Sequence, residues 1–299
     1  MKIHDSKFFL LLLLAIFVIS SCTTRSQGSF FSGPERKRYE DFFRRFLFLE
    51  QAVYTLYGSK PMTEIVLTPE SPADKIAAQN RALQKLSQEE RIRLEACSID
   101  YEEGYWFEET WAMWEEKLKT LPIKRYLFVE RKVGIPIDLQ KNRYVYFINI
   151  DEMVKVLQQN YPLFKDYVGF DFDPLSVVFD AKNVDSPFWK AIWGREISDK
   201  SVCLMGILFG YGMENSHAFS KHHFKSNEKT ESIKLATSTV SIESMKQFNP
   251  PQSFLLPGYT SFSEPDYQKE KYNREYAMIR QIYMHSNMLE CTMQQLLKK

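Results

Sequence analysis

"RYLFVERKV" (Arg125–Val133) and "RYVYFINI" (Arg143–Ile150) are the two segments that decide the fold class of this chain. Both have the length of β-strands and are rich in β-branched and aromatic residues. The connection between them contains Gly134 and Pro136, which suits a hairpin with a long loop. Because two strands alone are marginally stable, we expect them to pair with "TEIVL" (Thr63–Leu67) or to lie on helices.

Most of the remaining chain has helical patterns. Apolar residues at helical spacing predict a first helix over residues 35–57, ended by Gly58. Further helices are predicted to begin at "SPAD" (Ser71–Asp74), near Tyr101, and at Ser263 with Asp266. Three more are predicted to follow caps at Asp151, Asp173 and Ser186. Another helix is predicted over residues 200–224, with an interruption near Gly210 and Gly212. The sequence therefore predicts an α+β fold, predominantly α-helical, with one small antiparallel sheet.

Two of these helices carry distinctive apolar patterns. In the helix near Tyr101, large side chains recur at steps of four and three residues, which is typical of a buried helix face, and an exposed aromatic platform for sugars is the alternative. In the C-terminal helix the apolar spacing is compatible with a heptad, so packing on its own domain and a coiled-coil partner are both open. In the helix near Tyr101 these side chains are Phe107, Trp111, Trp114, Leu118 and Leu121. In the C-terminal helix they are Tyr272, Ile279, Ile282, Leu289, Met293 and Leu296.

The N-terminus has the features of an export signal. Lys2 and Lys7 precede an apolar run from Phe8 to Ile19, whose 12 residues fall short of the roughly 20 that a spanning helix needs. The run ends in "ISSC" (Ile19–Cys22), which resembles the lipobox of bacterial lipoproteins. The resemblance implies that residues 1–21 form a cleaved signal peptide and that Cys22 becomes the acylated N-terminus. An ordinary cleaved signal is the alternative.

This resemblance also implies a subcellular location. A lipoprotein is exported and attached to a bacterial membrane through the lipid on its cysteine, and two or three acyl chains make such an anchor stable. Thr23 is similar to the residues that permit sorting to the outer membrane where the cell has one; otherwise the anchor lies in the plasma membrane. The membrane is therefore the first predicted partner.

Composition gives the domain organisation after Cys22. Residues 22–34 are mostly small and polar and form a predicted tether, which reaches only about 20 Å from the membrane. Residues 35–299 then form one globular, mostly helical domain, with a possible seam at 225–262 where the chain is polar and rich in proline. The 23 Phe, 16 Tyr and 5 Trp favour a packed core over disorder.

The charge balance excludes one class of partner. The chain has 39 basic and 38 acidic residues, and the signal segment removes Lys2, Lys7 and Asp5, so the mature net charge is zero. Nucleic-acid binders carry a clustered basic excess, so we predict no nucleic-acid partner. Cys203 lies in an apolar stretch and is expected to be buried, whereas a disulfide between Cys97 and Cys291 stays open.

The candidate polar site lies in "ENSHAFSKHH", where Glu214 and His217 share a helix face and His222 and His223 follow. Three such ligands can hold zinc, but His217 and His222 are five residues apart and diverge on a straight helix. We therefore predict no metal and no cofactor. Gly206 and Gly210, in "GILFGYG", favour close helix packing over a nucleotide loop, because no GxGxxG motif follows a strand.

No complete catalytic motif is present, so these features favour a non-enzymatic role. We expect a membrane-anchored envelope lipoprotein that binds a protein partner or has a structural role. The alternative is a lipid-anchored enzyme or small-ligand binder with a cleft near residues 206–223. Solute capture between two lobes is a third class. An exposed apolar surface favours the first, whereas an enclosed pocket around Glu214 and His217 favours the second.

Overall fold

A computed structural model describes eight stretches of the chain. They are residues 30–31, 33–67, 103–132, 143–193, 198–225, 256–257, 266–284 and 286–298. The signal peptide, Cys22, most of the tether, the helix predicted at Ser71 and almost all of the 225–262 seam lie outside these residues. Residues 30–39 belong to a first structural unit, in which the rings of Phe31 and Tyr39 lie 4.2 Å apart. Residues from Glu40 onward form the second unit.

A three-stranded antiparallel sheet organises the second unit, as predicted. The strands are β1 (Met62–Leu67), β2 (Tyr126–Lys132) and β3 (Arg143–Asn149), in the order β1-β3-β2. The "TEIVL" segment thus joins the sheet as an edge strand beside β3. The described structure is mostly helical, so the predicted α+β class is confirmed.

The central strand β3 is buried on both faces, and the alternation of its side chains divides the core in two. Phe147 pairs with Phe128 of β2, and their ring centroids lie 4.8 Å apart on what we call the Phe147 face. Tyr146 pairs with Val129 on the opposite, Tyr146 face. Tyr146 and Phe147 are each at most 2% exposed, which requires a layer of helices on each side of the sheet.

Residues from Glu40 to Tyr57 cover the Phe147 face, where the ring centroids of Phe46 and Phe147 lie 5.2 Å apart. Helix α1 (Gly33–Arg44) continues into a π-helical turn (Arg45–Leu49), and α2 (Val53–Tyr57) follows. The single helix predicted over 35–57 is therefore wrong, because the chain breaks at Gln51, whose φ is +61°. The break brings α2 onto the sheet, where the Thr55 and Thr63 hydroxyls lie 2.8 Å apart. Termination at Gly58 is confirmed.

Helix α3 (Glu103–Leu118) packs on the same face and contains the predicted aromatic pattern. Trp111 is 2% exposed and Trp114 is fully buried. Both indole rings lie about 6 Å from Phe128, between centroids. These two side chains are therefore core, and an exposed sugar platform built on them is wrong. The side chain of Phe107 lies outside the described residues.

A run of short helices covers the Tyr146 face. They are α4 (Ile150–Gln159), α5 (Tyr161–Val168), α6 (Pro174–Phe179), a 3-10 turn (Asp180–Lys182), α7 (Pro187–Ile192) and α8 (Asp199–Leu208). Helix α9 (Met213–Lys225) follows and packs on α8. Asp173 caps α6 as predicted, by accepting the Ser176 amide hydrogen at 2.7 Å. The predicted Asp151 cap is wrong: Asn149 caps α4, because its side chain faces the free amide of Glu152.

The C-terminal segment forms two helices instead of one. Helix α10 (Tyr267–Met284) follows Asp266, which caps it through the Lys269 amide, and α11 (Met288–Leu296) begins after a new cap at Asn287. A continuous heptad is therefore wrong. Tyr272, Ile279 and Leu296 are nonetheless buried, so both helices pack on their own domain. Among the described helices, none is both long and apolar enough to cross a membrane.

Candidate functional site

Helices α8 and α9 form a tight hairpin whose glycines set their separation. A Cβ atom on Gly206 would lie 2.6 Å from the Ser216 hydroxyl oxygen, so only glycine permits this approach. Gly210 and Gly212 have φ near +80°, which reverses the chain between the helices. The Gly210 carbonyl accepts hydrogen bonds from Gln268 and Tyr272 of α10 at 2.6 and 2.8 Å. The predictions of close packing and of a break here are confirmed.

A groove lies between this hairpin and α5. Its volume is about 210 Å³, and apolar atoms dominate its surface. The residues that line it are Leu163, Asp166 and Tyr167 of α5, Asp199, Lys200, Cys203 and Leu204 of α8, and His217, Ser220 and Lys221 of α9. The floor is formed by buried Cys203 and Leu204, and the charged groups stand at the rim.

The rim charges differ from one wall to the other. Lys200 of α8 forms an ion pair with Asp166 of α5, with 3.2 Å between nitrogen and oxygen. His217 and Lys221 are both exposed on α9 and lie one turn apart, so their side chains share a helix face. No ion pair or side-chain hydrogen bond joins Lys221 to another described residue. The α9 wall therefore presents an available cation and an imidazole.

The floor does not have the chemistry of a cysteine nucleophile. Burial raises the pKa of the Cys203 thiol, and a hydrogen bond with Ser220 only partly offsets this shift. Because the thiolate is the nucleophilic form, Cys203 acts here as a small apolar side chain. The prediction that it is buried is confirmed, at 7% exposure. Cys291 forms no disulfide with a described residue, and because Cys97 lies outside the described residues, a bond between the two stays an open question.

The residues predicted as a polar cluster are only partly brought together. His217 lines the groove, whereas Glu214 is exposed outside its lining. No hydrogen bond or ion pair between these two side chains is present in the described part of the chain. His222 and His223 belong to the last turns of α9, but their side chains lie outside the described residues. Among the residues that are described, no group of three His, Cys, Asp or Glu side chains has the geometry of a metal site.

A buried ionisable cluster lies near β1 and was not predicted. Lys60 is 4% exposed, and burial lowers the pKa of its ammonium to about 8, although Glu50 and Glu64 oppose the shift. Burial raises the pKa of both carboxyl groups, and Tyr146 donates a hydrogen bond to Glu64. The signal in the sequence is weak: an acidic residue, Glu64, interrupts an otherwise strand-like run.

An aromatic stack adjoins this cluster on the Tyr146 face. The ring of Trp193 stacks between Tyr146 and Trp189, with centroids 4.8 and 4.2 Å away. The Arg131 guanidinium lies 4.5 Å from the Trp193 ring centroid and donates hydrogen bonds to the carbonyls of Ala181 and Asn183. The Arg131 hydrogen bonds join β2 to the 3-10 turn and the residue after it, so Arg131 and the aromatic stack have a structural role.

Apolar side chains are also exposed on the surface around α5, α6 and α9. Leu175 and Phe179 are one turn apart on α6 and are 47% and 53% exposed, and Val184 follows at 64%. Leu163, at the groove rim, is 36% exposed. Leu163 therefore adds an exposed apolar group to the groove rim, and exposed apolar surface beside a groove is a mark of interaction sites.

The comparisons with known proteins assign neither a family nor a function to this arrangement. The chain matches no protein-family model, no curated protein and no solved structure.

Proposed function

We propose that this protein is an envelope lipoprotein, anchored through Cys22, whose folded domain binds a protein partner in the groove between α5, α8 and α9. The anchor is supported by the "ISSC" lipobox and the preceding apolar run. The short tether would keep the domain near its membrane, so its partner lies at or close to that surface.

The size and lining of the groove carry the proposal. At about 210 Å³, the groove is smaller than the roughly 300–1,000 Å³ of pockets that enclose small molecules. Its apolar floor and charged rim match the pockets that receive single anchor side chains at protein interfaces. The exposed Leu163 extends the apolar surface beyond the rim.

The alternative is a small ligand held in the same groove. His217 and Lys221 favour it, because a few polar groups orient a ligand in an otherwise apolar site. The raised thiol pKa of Cys203 argues against nucleophilic catalysis there. Solute capture, the third class considered, requires two lobes around a cleft. Neither of the two candidate functions relies on such an arrangement.

Crosslinking in native membranes tests the proposal. The full-length protein is crosslinked, purified and analysed by mass spectrometry, beside a Cys22→Ala form. We expect a stoichiometric protein partner that is lost when lipidation is prevented. A wild-type monomer with no crosslinked protein would contradict the proposal, and a co-purifying small molecule would favour the alternative.

Two leucine variants connect the partner to the groove. Leu163→Asp places a charge at the groove rim, whereas Leu175→Asp places the same charge on α6, outside the groove lining. Both leucines are exposed, so neither change should unfold the domain. We expect Leu163→Asp to abolish the crosslink and Leu175→Asp to retain it. Loss in both variants or in neither would reject the groove as the docking site.

A further inference from the structure

We infer that the partner segment presents an apolar side chain with a carboxylate beside it, and that Lys221 and His217 bind this carboxylate while the apolar group enters the groove. The inference rests on the proposed function and specifies the chemistry of the partner.

The volume of the groove sets the size of the apolar group. An apolar cavity of about 150 Å³ is large enough for benzene in another protein. The groove, at about 210 Å³, therefore has room for one aromatic or long aliphatic side chain, but not for a second. Cys203, Leu204 and Tyr167 supply its apolar contacts.

The distribution of charge sets the position of the carboxylate. On α8, Lys200 is already paired with Asp166, and Asp199 stands beside it, so an incoming anion meets repulsion on that side. On α9, Lys221 has no acidic partner among the described residues, and His217 lies on the same face one turn earlier. A carboxylate is therefore favoured at the α9 wall, where Lys221 supplies an ammonium and His217 a ring nitrogen.

Two matched probes test this chemistry: N-acetylphenylalanine, which carries a carboxylate, and its neutral amide. Each is titrated into the full-length lipoprotein in detergent micelles, with leucine methyl groups labelled for NMR. The Leu204 methyl signals report occupancy of the groove floor. Because an exposed ion pair contributes modestly, we expect the acid to bind about three- to fivefold more tightly than the amide at low salt.

Two lysine variants assign the effect. In Lys221→Gln the acid and the amide should bind equally, whereas Lys182→Gln, on the exposed 3-10 turn outside the groove, should keep the preference for the acid. Equal binding of both probes to the wild-type protein would overturn the inference, as would a preference that survives in Lys221→Gln or a Leu204 signal that neither probe moves.

These outcomes are separable from failure of the proposed function. If crosslinking captures a partner through Leu163 while the acid shows no advantage, the protein-binding groove stands and only the carboxylate is rejected. If the acid binds through Lys221 but no protein is captured, the groove chemistry stands and the protein partner is rejected.

Discussion

Replacement of Lys60 by methionine should change the pH dependence of stability. Lys60 is buried, and its pKa falls from 10.5 to about 8 in the folded protein. Below pH 8 the folded state must keep a buried charge, which is a destabilising contribution. As the pH rises toward 10.5, the folded state has already released the proton while the unfolded state still binds it, so this cost disappears.

The magnitude follows from the shift itself. One pKa unit corresponds to about 1.4 kcal/mol, so the full shift amounts to roughly 3 kcal/mol at low pH. About 2 kcal/mol of this cost is relieved between pH 7 and pH 9.5. Lys60→Met removes the titrating group but keeps a side chain of similar length. The wild-type free energy of unfolding, minus that of the variant, should therefore rise by about 2 kcal/mol across this range.

Urea unfolding, followed by near-UV circular dichroism at several pH values, measures this difference. The subtraction cancels the tyrosines common to both proteins, whose own titration would otherwise dominate at high pH. Lys182→Met removes an exposed lysine and is the matched control, for which the same subtraction should be flat. A flat line for Lys60→Met as well would refute the reasoning, because it would show that the ammonium is solvated in the folded protein.

Four further substitutions test the packing, each by urea unfolding. Gly206→Ala places a Cβ within 3 Å of a serine on α9 and should cost about 1–3 kcal/mol; unchanged stability would show that the helices can separate freely. Asn149→Ala and Asn287→Ala each remove a helix cap, worth about 1 kcal/mol. Asn149 also donates a buried hydrogen bond to the Thr55 carbonyl, so its loss should cost about 1 kcal/mol more, and equal costs would contradict this. Trp114→Ala removes a fully buried indole and should cost about 3–5 kcal/mol, against an expectation of little change if the ring were a surface platform.

Local patterns predicted the elements that depend on local physics. β3 was predictable because its residues alternate over two buried faces and favour extended structure. The Trp111 and Trp114 seam was predictable because four-three spacing places large side chains on one side of a helix. The breaks at Gln51 and near Ser286 were missed, since the apolar spacing on either side is compatible with an uninterrupted helix. At Gln51 the backbone adopts a positive φ and the following helix packs on the sheet, whereas near Ser286 a new helix begins with Asn287 as its cap.

The candidate site was predicted in the same uneven way. His217 was identified from its spacing to Glu214. Helical spacing does not show which other elements line a site, and the α5 residues across the groove from His217 were not predicted. Lys60 was not identified at all, because lysine is ordinarily exposed and nothing adjacent in sequence announces its burial. The acidic residues near Lys60 are Glu50 and Glu64, which lie on opposite sides of the break at Gln51. They come together only when the chain folds, so the sequence alone did not show this cluster.

The groove is held in one shape by contacts on the far side of its hairpin. Gly206 joins α8 to α9, and the Gly210 carbonyl receives two hydrogen bonds from α10, so both helices that contribute His217 and Cys203 are fixed before any partner arrives. A preformed surface avoids the cost of ordering side chains and loops on binding. This argument predicts where affinity can be lost without touching the groove: Tyr272→Phe removes one of the two hydrogen bonds to Gly210 and should weaken binding of N-acetylphenylalanine without altering any lining residue. An unchanged affinity in that variant would show that the hairpin alone defines the groove.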